Sequence, residues 1–268
     1  MLTVSQLYVH PVKSLAGFQL SQVKLTDMGP EYDRRWMVVN GAGKFVTQRQ
    51  YPKMCLIGTS INNGILSLSD PSGDLCRVGP AQGDIRQVQV WHDLVAAQDC
   101  GDEAAHWLSN FLGVSVRLVY MPEQSTRLVD QEYALNNEAV SFADGFPLLL
   151  VSQSSLDLLN QKLDLTVSME RFRPNIVISG CEAHAEDDWQ KVEIAGNTLF
   201  LPKRCSRCVI PSIDPQTGLK QDQVIKVLSG YRRRAGKIYF GQNALIEQTT
   251  EQRESILSVG DSVTVLKS

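Results

Sequence analysis

The turn signals of this chain constrain its fold most. Asn63-Gly64, Ser72-Gly73 and Asp214-Pro215 are examples, and between such turns the apolar residues fall into short runs. Runs of that length, bounded by Gly, Pro, Asn and Ser, read as strands rather than helices. Extended segments are predicted over residues 2–8, 36–39, 54–59, 65–68, 88–91, 116–120, 147–151, 175–178, 192–194, 198–201 and 263–266. Two helices interrupt them. One runs over 103–112, with Asp102 as its cap and Gly113 as its stop; the other spans 156–163 behind Ser154 or Ser155, with Leu156, Leu159 and Leu163 at helical spacing. The fold class is therefore mainly β with a few helices (α+β), as barrel or sandwich layers. The polar stretch 123–138 has few apolar anchors. It predicts two β-rich units, 1–120 and 121–268.

A chain of 268 residues with 43% hydrophobic content has ample material for buried cores. Disorder is excluded by that content. No apolar run approaches the ~20 residues of a membrane span, and Met1-Leu2-Thr3-Val4-Ser5-Gln6 lacks the features of a signal peptide. A cytoplasmic location without membrane attachment is expected. The net charge of −3 argues against nucleic acid as a partner, because neutralising phosphates needs a broad basic face.

The six cysteines are Cys55, Cys76, Cys100, Cys181, Cys205 and Cys208. In a reducing compartment they are thiols. Only Cys205-Ser206-Arg207-Cys208 is a spaced pair. Three readings compete for it: half a zinc site, a redox dithiol, or one thiolate ligand with a structural neighbour. Zinc needs two further ligands, and His10, His92, His106 and His184 show no paired spacing. A redox dithiol favours a helix N-terminus, whereas Val209-Ile210-Pro211 reads as extended chain. Arg204 and Arg207 flank the pair and would favour a thiolate.

Several basic residues stand at predicted strand ends, where functional side chains concentrate. They are Lys13 beside Ser14, Arg34-Arg35, Arg49, Arg173 before Pro174-Asn175, and Arg204 with Arg207. Gathered together they would form a polyanion pocket, with Ser14, Asn175 and Ser206 adding hydroxyl and amide groups. Taken singly, each could equally be a surface ion-pair partner. Arg232-Arg233-Arg234 with Lys237 is the densest basic run, either a solvated loop or a docking patch for an acidic protein.

Five motifs occur in order: His10-Pro11-Val12-Lys13-Ser14, Asp33-Arg34-Arg35-Trp36, Arg171-Phe172-Arg173-Pro174-Asn175, Cys205-Ser206-Arg207-Cys208 and Asp214-Pro215-Gln216-Thr217-Gly218. The series resembles the MOSC family, named after the C-terminal domain of molybdenum cofactor sulfurase. Within it the likeness is to two-domain members, bacterial proteins and amidoxime-reducing components among them. The likeness covers nearly the whole chain. It implies an N-terminal β-barrel-like MOSC_N domain followed by a MOSC β-barrel domain, with molybdenum cofactor (Mo-molybdopterin) beside or between them. By motif, Cys208 would be the metal ligand and catalytic residue, and Cys205 structural. Lys13, Ser14, Arg34, Asp144, Arg173, Asn175, Ser206 and Arg207 would hold the cofactor. A soft thiolate suits a sulfur-rich molybdenum centre, and the pterin phosphate suits Lys and Arg.

The implied activity is reductive: removal of oxygen from small N-hydroxylated compounds such as N-hydroxylated bases and amidoximes. The alternative is a non-catalytic carrier of cofactor or of a persulfide on Cys208. Pyridoxal phosphate is not expected. Nor is an iron–sulfur cluster, because the 60 residues after Cys208 contain no cysteine to ligate one. Electrons are therefore expected from a separate protein of ferredoxin, flavin or cytochrome type, and the 232–234 run would be its docking face.

Overall fold

The computed structural model describes residues 1–247 and 255–266. Its largest sheet has nine strands. Thr3–Val9 pairs antiparallel with Ile176–Ser179, Leu7 opposite Ile176, and carries Phe18–Leu20 on its other edge. Ile176–Ser179 lies parallel to Leu148–Ser152. A parallel pair needs a crossover, and helix Gln153–Lys162 lies in it. Lys237–Ile246, Asn197–Ser206, Lys191–Ile194 and Val263–Leu266 extend the sheet antiparallel. Its inner face buries Val4, Leu7 and Val9 with Leu148, Leu150, Ile176, Ile178, Leu199 and Ala244. The first strand of the chain thus completes a sheet made mostly of the second half.

The stretch between builds a second layer. Trp36–Asn40, Val116–Tyr120, Asp93–Asp99 and Ile85–Val90 form a four-stranded sheet, and Gly58–Asn62, Ile65–Ser69 and Leu75–Val78 a three-stranded one. Helix Asp102–Leu112 turns Ala104, Leu108 and Leu112 into the core between them, with Val38, Leu66, Leu68 and Leu118. The architecture is mainly β, with three α-helices among the described residues.

Local chemistry overrides the sequence reading at several points. Residues 54–59 are not a single strand. Pro52 presets the first turn of a 3-10 helix, Pro52–Leu56, and the strand starts at Gly58. Asp102 is the first helical residue rather than the cap: Gly101 takes that place, and Asp102 reaches Arg117 at 2.8 Å. Gly113 does stop this helix, at φ 68°. Ile210–Ser212 is a 3-10 turn, not extended chain, again with a proline in its first turn. Helix Gln223–Arg232 was not predicted. Its buried face is only Val224 and Leu228 with the stem of Arg232, and Gly230 weakens its propensity. Among the described residues no helix is long and apolar enough to cross a membrane.

Candidate functional site

The ends of strands from both layers converge on one cleft of about 730 Å³. Lys13 and Ser14 follow Thr3–Val9, Arg34 precedes Trp36–Asn40, and Asp144 precedes Leu148–Ser152. Arg173 and Asn175 lead into Ile176–Ser179, while Ser206, Arg207 and Cys208 lie at the end of Asn197–Ser206. All nine residues line the cleft. So do Arg49, Arg127 and Lys203. Seven Lys and Arg side chains therefore face three carboxylates, Asp93, Asp130 and Asp144, in a chain of net charge −3.

The backbone is strained where these side chains point. Ser14, Arg34 and Arg173 have φ of 70°, 50° and 54°, left-handed values that non-glycine residues adopt at a cost. Hydrogen bonds centred on Arg34 and Asn175 brace the second and third of these. Arg34 pairs with buried Asp33, donates to Asn175 Oδ1 at 3.2 Å and to the Arg173 carbonyl at 2.9 Å. Asp33 Oδ1 accepts from the His10 backbone N–H at 2.8 Å. Asn175 Oδ1 also accepts from the Leu149 N–H at 3.1 Å, and its Nδ2 donates to the Tyr8 carbonyl at 3.3 Å. One amide thus ties three strands to the Arg34 guanidinium.

Lys13 is buried and donates to the Phe142 carbonyl at 2.8 Å and to Asp144 Oδ1 at 2.5 Å. Burial lowers its pKa, and Asp144 partly restores it. Asp144 keeps 62% of its side chain exposed to the cleft. The surrounding cleft walls disfavour its charge, but Lys13, followed by Arg49 and Arg34, outweighs that and holds the carboxyl below its usual range. Arg173 donates to the Leu15 carbonyl at 2.5 Å, while its Nη2 has no partner and no carboxylate pairs with it among the described residues. Burial, then the Arg34 charge, pushes its pKa down to about 9.

Cys208 is exposed at the cleft wall, its sulfur 3.5 Å from the Ile210 N–H. The two flanking guanidinium groups do not converge on it. A register shift between Arg204 and Ser206 interrupts the strand alternation there, and Arg204 turns away to Asp187 and Asp188 at 3.4 and 3.5 Å. Arg207 donates to Cys205 Sγ at 3.1 Å and to the Phe172 carbonyl at 2.8 Å. Cys205 packs against the cluster of Phe172, Phe240 and Leu228.

Three lining residues escaped the sequence reading. Arg127 lies in the polar stretch taken as a boundary, yet it is buried and donates to the Ser141 and Ala143 carbonyls at 2.8 and 2.6 Å and to Asp93 at 2.7 Å. Lys203 sits 4.0 Å from the Tyr133 ring. Trp91, assigned to a strand from sequence, is instead the first residue of a two-residue hairpin turn. An Arg within a polar run carries little sequence signal, and a tryptophan is not a turn signal.

Behind Arg173 lies a smaller cavity of about 80 Å³, lined by His10, Gly17, Cys55 and Arg171 among others. His10 is 1% exposed, and its Nε2 donates to the Pro174 carbonyl at 3.0 Å, which leaves Nδ1 as an acceptor without a partner. Burial, then Arg173 and Arg34, lowers the His10 pKa well below 6.5, so the ring is neutral. Burial also pushes the Cys55 thiol up to about 11. The cavity has room for water beside these groups but not for a large ligand. The basic run of residues 232–234 is likewise split. Arg232 is buried, donating to both oxygens of Asp187 at 2.9 and 2.7 Å, so it is a structural cation rather than part of a docking face. Arg233 and Arg234 remain exposed.

Residues 1–115 match the MOSC N-terminal beta barrel domain, and residues 137–264 match the MOSC domain. Mitochondrial amidoxime-reducing component 1 of Mus musculus is 37% identical over 242 residues, which span 86% of this chain and 71% of that protein. Mitochondrial amidoxime-reducing component 1 of Homo sapiens is 34% identical over 284 residues, spanning 98% and 83%. The solved structure of the YUAD protein from Bacillus subtilis aligns over 98% of this chain and 94% of that one, at 11% identity and a TM-score of 0.44. With both domain matches in sequence order and relatives at this identity over most of its length, the chain belongs to the MOSC family.

Proposed function

We propose that this chain binds molybdenum cofactor in the cleft and reduces N-hydroxylated compounds with electrons from a separate protein. The observation that carries the reading is the convergence of seven cations and an exposed thiol on one cleft. The donor set fits such a group. Arg173, at the cleft wall, has no carboxylate partner among the described residues and a buried Nη2 without an acceptor, a charge that an anion in the cleft would offset. Lys13, Arg34 and Arg207 add positive charge around it; Ser14, Asn175 and Ser206 supply hydroxyl and amide groups for a pterin. Cys208 supplies a soft sulfur ligand for the metal. Bound there, the cofactor provides two-electron chemistry for removing oxygen from nitrogen, and the protein orients and surrounds it.

Asp144 is the residue of this set suited to meeting the substrate. Its carboxylate is held ionised by Lys13 and open to the cleft, able to accept an N–H or O–H. The relatives named as amidoxime-reducing components support reduction of N–O bonds. Their names place those relatives in mitochondria.

The test is metal and pterin analysis of the purified chain, followed by turnover of an N-hydroxylated base with a chemical reductant. Wild type should hold both components and turn over; Cys208→Ala should not turn over. Equal rates in the two would refute the reading. A stable persulfide on Cys208 without molybdenum would favour the carrier alternative.

A further inference from the structure

Trp91 occupies a position where its side chain is costly. Ile85–Val90 and Asp93–Asp99 pair with Val90 opposite Asp93, leaving Trp91 and His92 as the whole turn. The first residue of this turn has φ 56°, a value that ordinarily selects glycine or asparagine and is uncommon for a bulky residue. A glycine would form this hairpin without strain, so the turn alone does not account for an indole. The ring is also held in place. Arg49 lies over it at 4.7 Å, Phe45 meets it at 5.1 Å and a tilt of 56°, and Gln89 Nε2 donates to the Trp91 carbonyl at 2.9 Å. It is nevertheless 36% exposed, and it lines the cleft. Strain kept at a cleft wall in order to present a rigid, open π surface points to a ligand.

We infer that Trp91 is the platform on which the organic body of the substrate stacks, selecting planar, aryl-conjugated N-hydroxylated compounds over small aliphatic ones. The inference rests on the reductase reading above and names the substrate class of that same cleft. Leu128 and Phe146 supply further apolar lining. Stacking on an aromatic side chain tolerates varied ring chemistry, because every planar ring offers a π face. Trp91 therefore sets a preference for flatness and not for one compound.

The experiment compares benzamidoxime with acetamidoxime on the full chain, as wild type, Trp91→Phe and Trp91→Gly. Binding is followed by tryptophan fluorescence and turnover by kcat/KM. Benzamidoxime should quench wild-type emission and acetamidoxime should not; the quench should disappear in Trp91→Phe. The benzamidoxime-to-acetamidoxime ratio of kcat/KM should fall about tenfold in Trp91→Gly, with Trp91→Phe retaining most of it because a ring remains. Trp91→Gly relaxes the turn but loses the Arg49 and Phe45 contacts, so a cooperative melting transition is required of the variant before its ratio is read. A quench that survives in Trp91→Phe, or an unchanged ratio in a folded Trp91→Gly, overturns the inference. Quenching by benzamidoxime that depends on Trp91, without turnover of either compound, supports the platform and refutes the reductase reading instead. A wild type that neither quenches nor discriminates overturns the platform.

Discussion

Lowering the pH tests the account of His10. The ring is buried, its Nε2 is committed to the Pro174 carbonyl, and the charges of Arg173 and Arg34 oppose a third cation beside them. Its folded-state pKa is therefore depressed, so between that value and 6.5 the unfolded chain binds a proton that the folded chain refuses. The resulting stability is fully present above 6.5 and is lost as pH falls. The limiting slope is about 1.4 kcal/mol per pH unit, so His10 contributes a loss of at most about 2 kcal/mol between roughly pH 7 and pH 5. For a chain of this size that is about 4 °C in melting midpoint. His184, pushed down to about 4 by burial and then by Arg232, acts with the same sign, so wild type alone does not isolate His10. The measurement is urea unfolding across pH for wild type and His10→Gln, whose amide can still donate to a carbonyl. The absolute stability of the variant is immaterial; the slope is read. The variant should lose up to one proton's worth of pH dependence below 6.5. Identical slopes would refute the neutral, refused-proton description of His10.

Two further predictions concern groups that replacement leaves unpaired. Asn175→Ala strips partners from the Leu149 N–H, the Tyr8 carbonyl and one Arg34 N–H, and should cost about 3 kcal/mol in denaturant unfolding. Asn175→Asp keeps the volume and an acceptor for the first and third and should cost less than half as much; equal losses would refute the stabilising role of that acceptor. Arg232→Ala leaves buried Asp187 with only the longer contact to Arg204 and should cost about 3 kcal/mol, whereas exposed Arg233→Ala should stay within about 0.5 kcal/mol. Similar melting midpoints for both arginine variants would contradict the split of the basic run.

What the sequence made legible follows a physical divide. The strands 116–120 and 263–266 are readable to the residue because each is a short run rich in β-branched and other apolar residues. The lining positions were readable as motifs because Lys13, Arg34, Arg173 and Cys208 sit at strand ends with unusual neighbours. Convergence was not readable. It depends on pairing such as Leu7 with Ile176, which no local pattern encodes. Nor was the direction of Arg204, since a bulge between Arg204 and Ser206 alters the register there. Arg232 looked like its two neighbours and proved different only because Asp187 lies beneath it. Trp91 was misassigned because a tryptophan in a left-handed turn runs against turn propensity.

The strand Thr3–Val9 also sets a schedule. Ser5 donates to the carbonyl of Val177, 172 residues later in the chain. At about 5–20 residues per second of synthesis, the first strand to emerge waits roughly ten to thirty seconds before its partner has even been made. During that wait Lys13 and Ser14 are separated from Arg173 and Cys208, so the cleft does not exist on the nascent chain. Any group held by both sides of it enters only after most of the protein has left the ribosome. Meanwhile Val4, Leu7 and Val9 stand as an uncovered apolar edge, the kind of surface that chaperones and misdirected strands compete for.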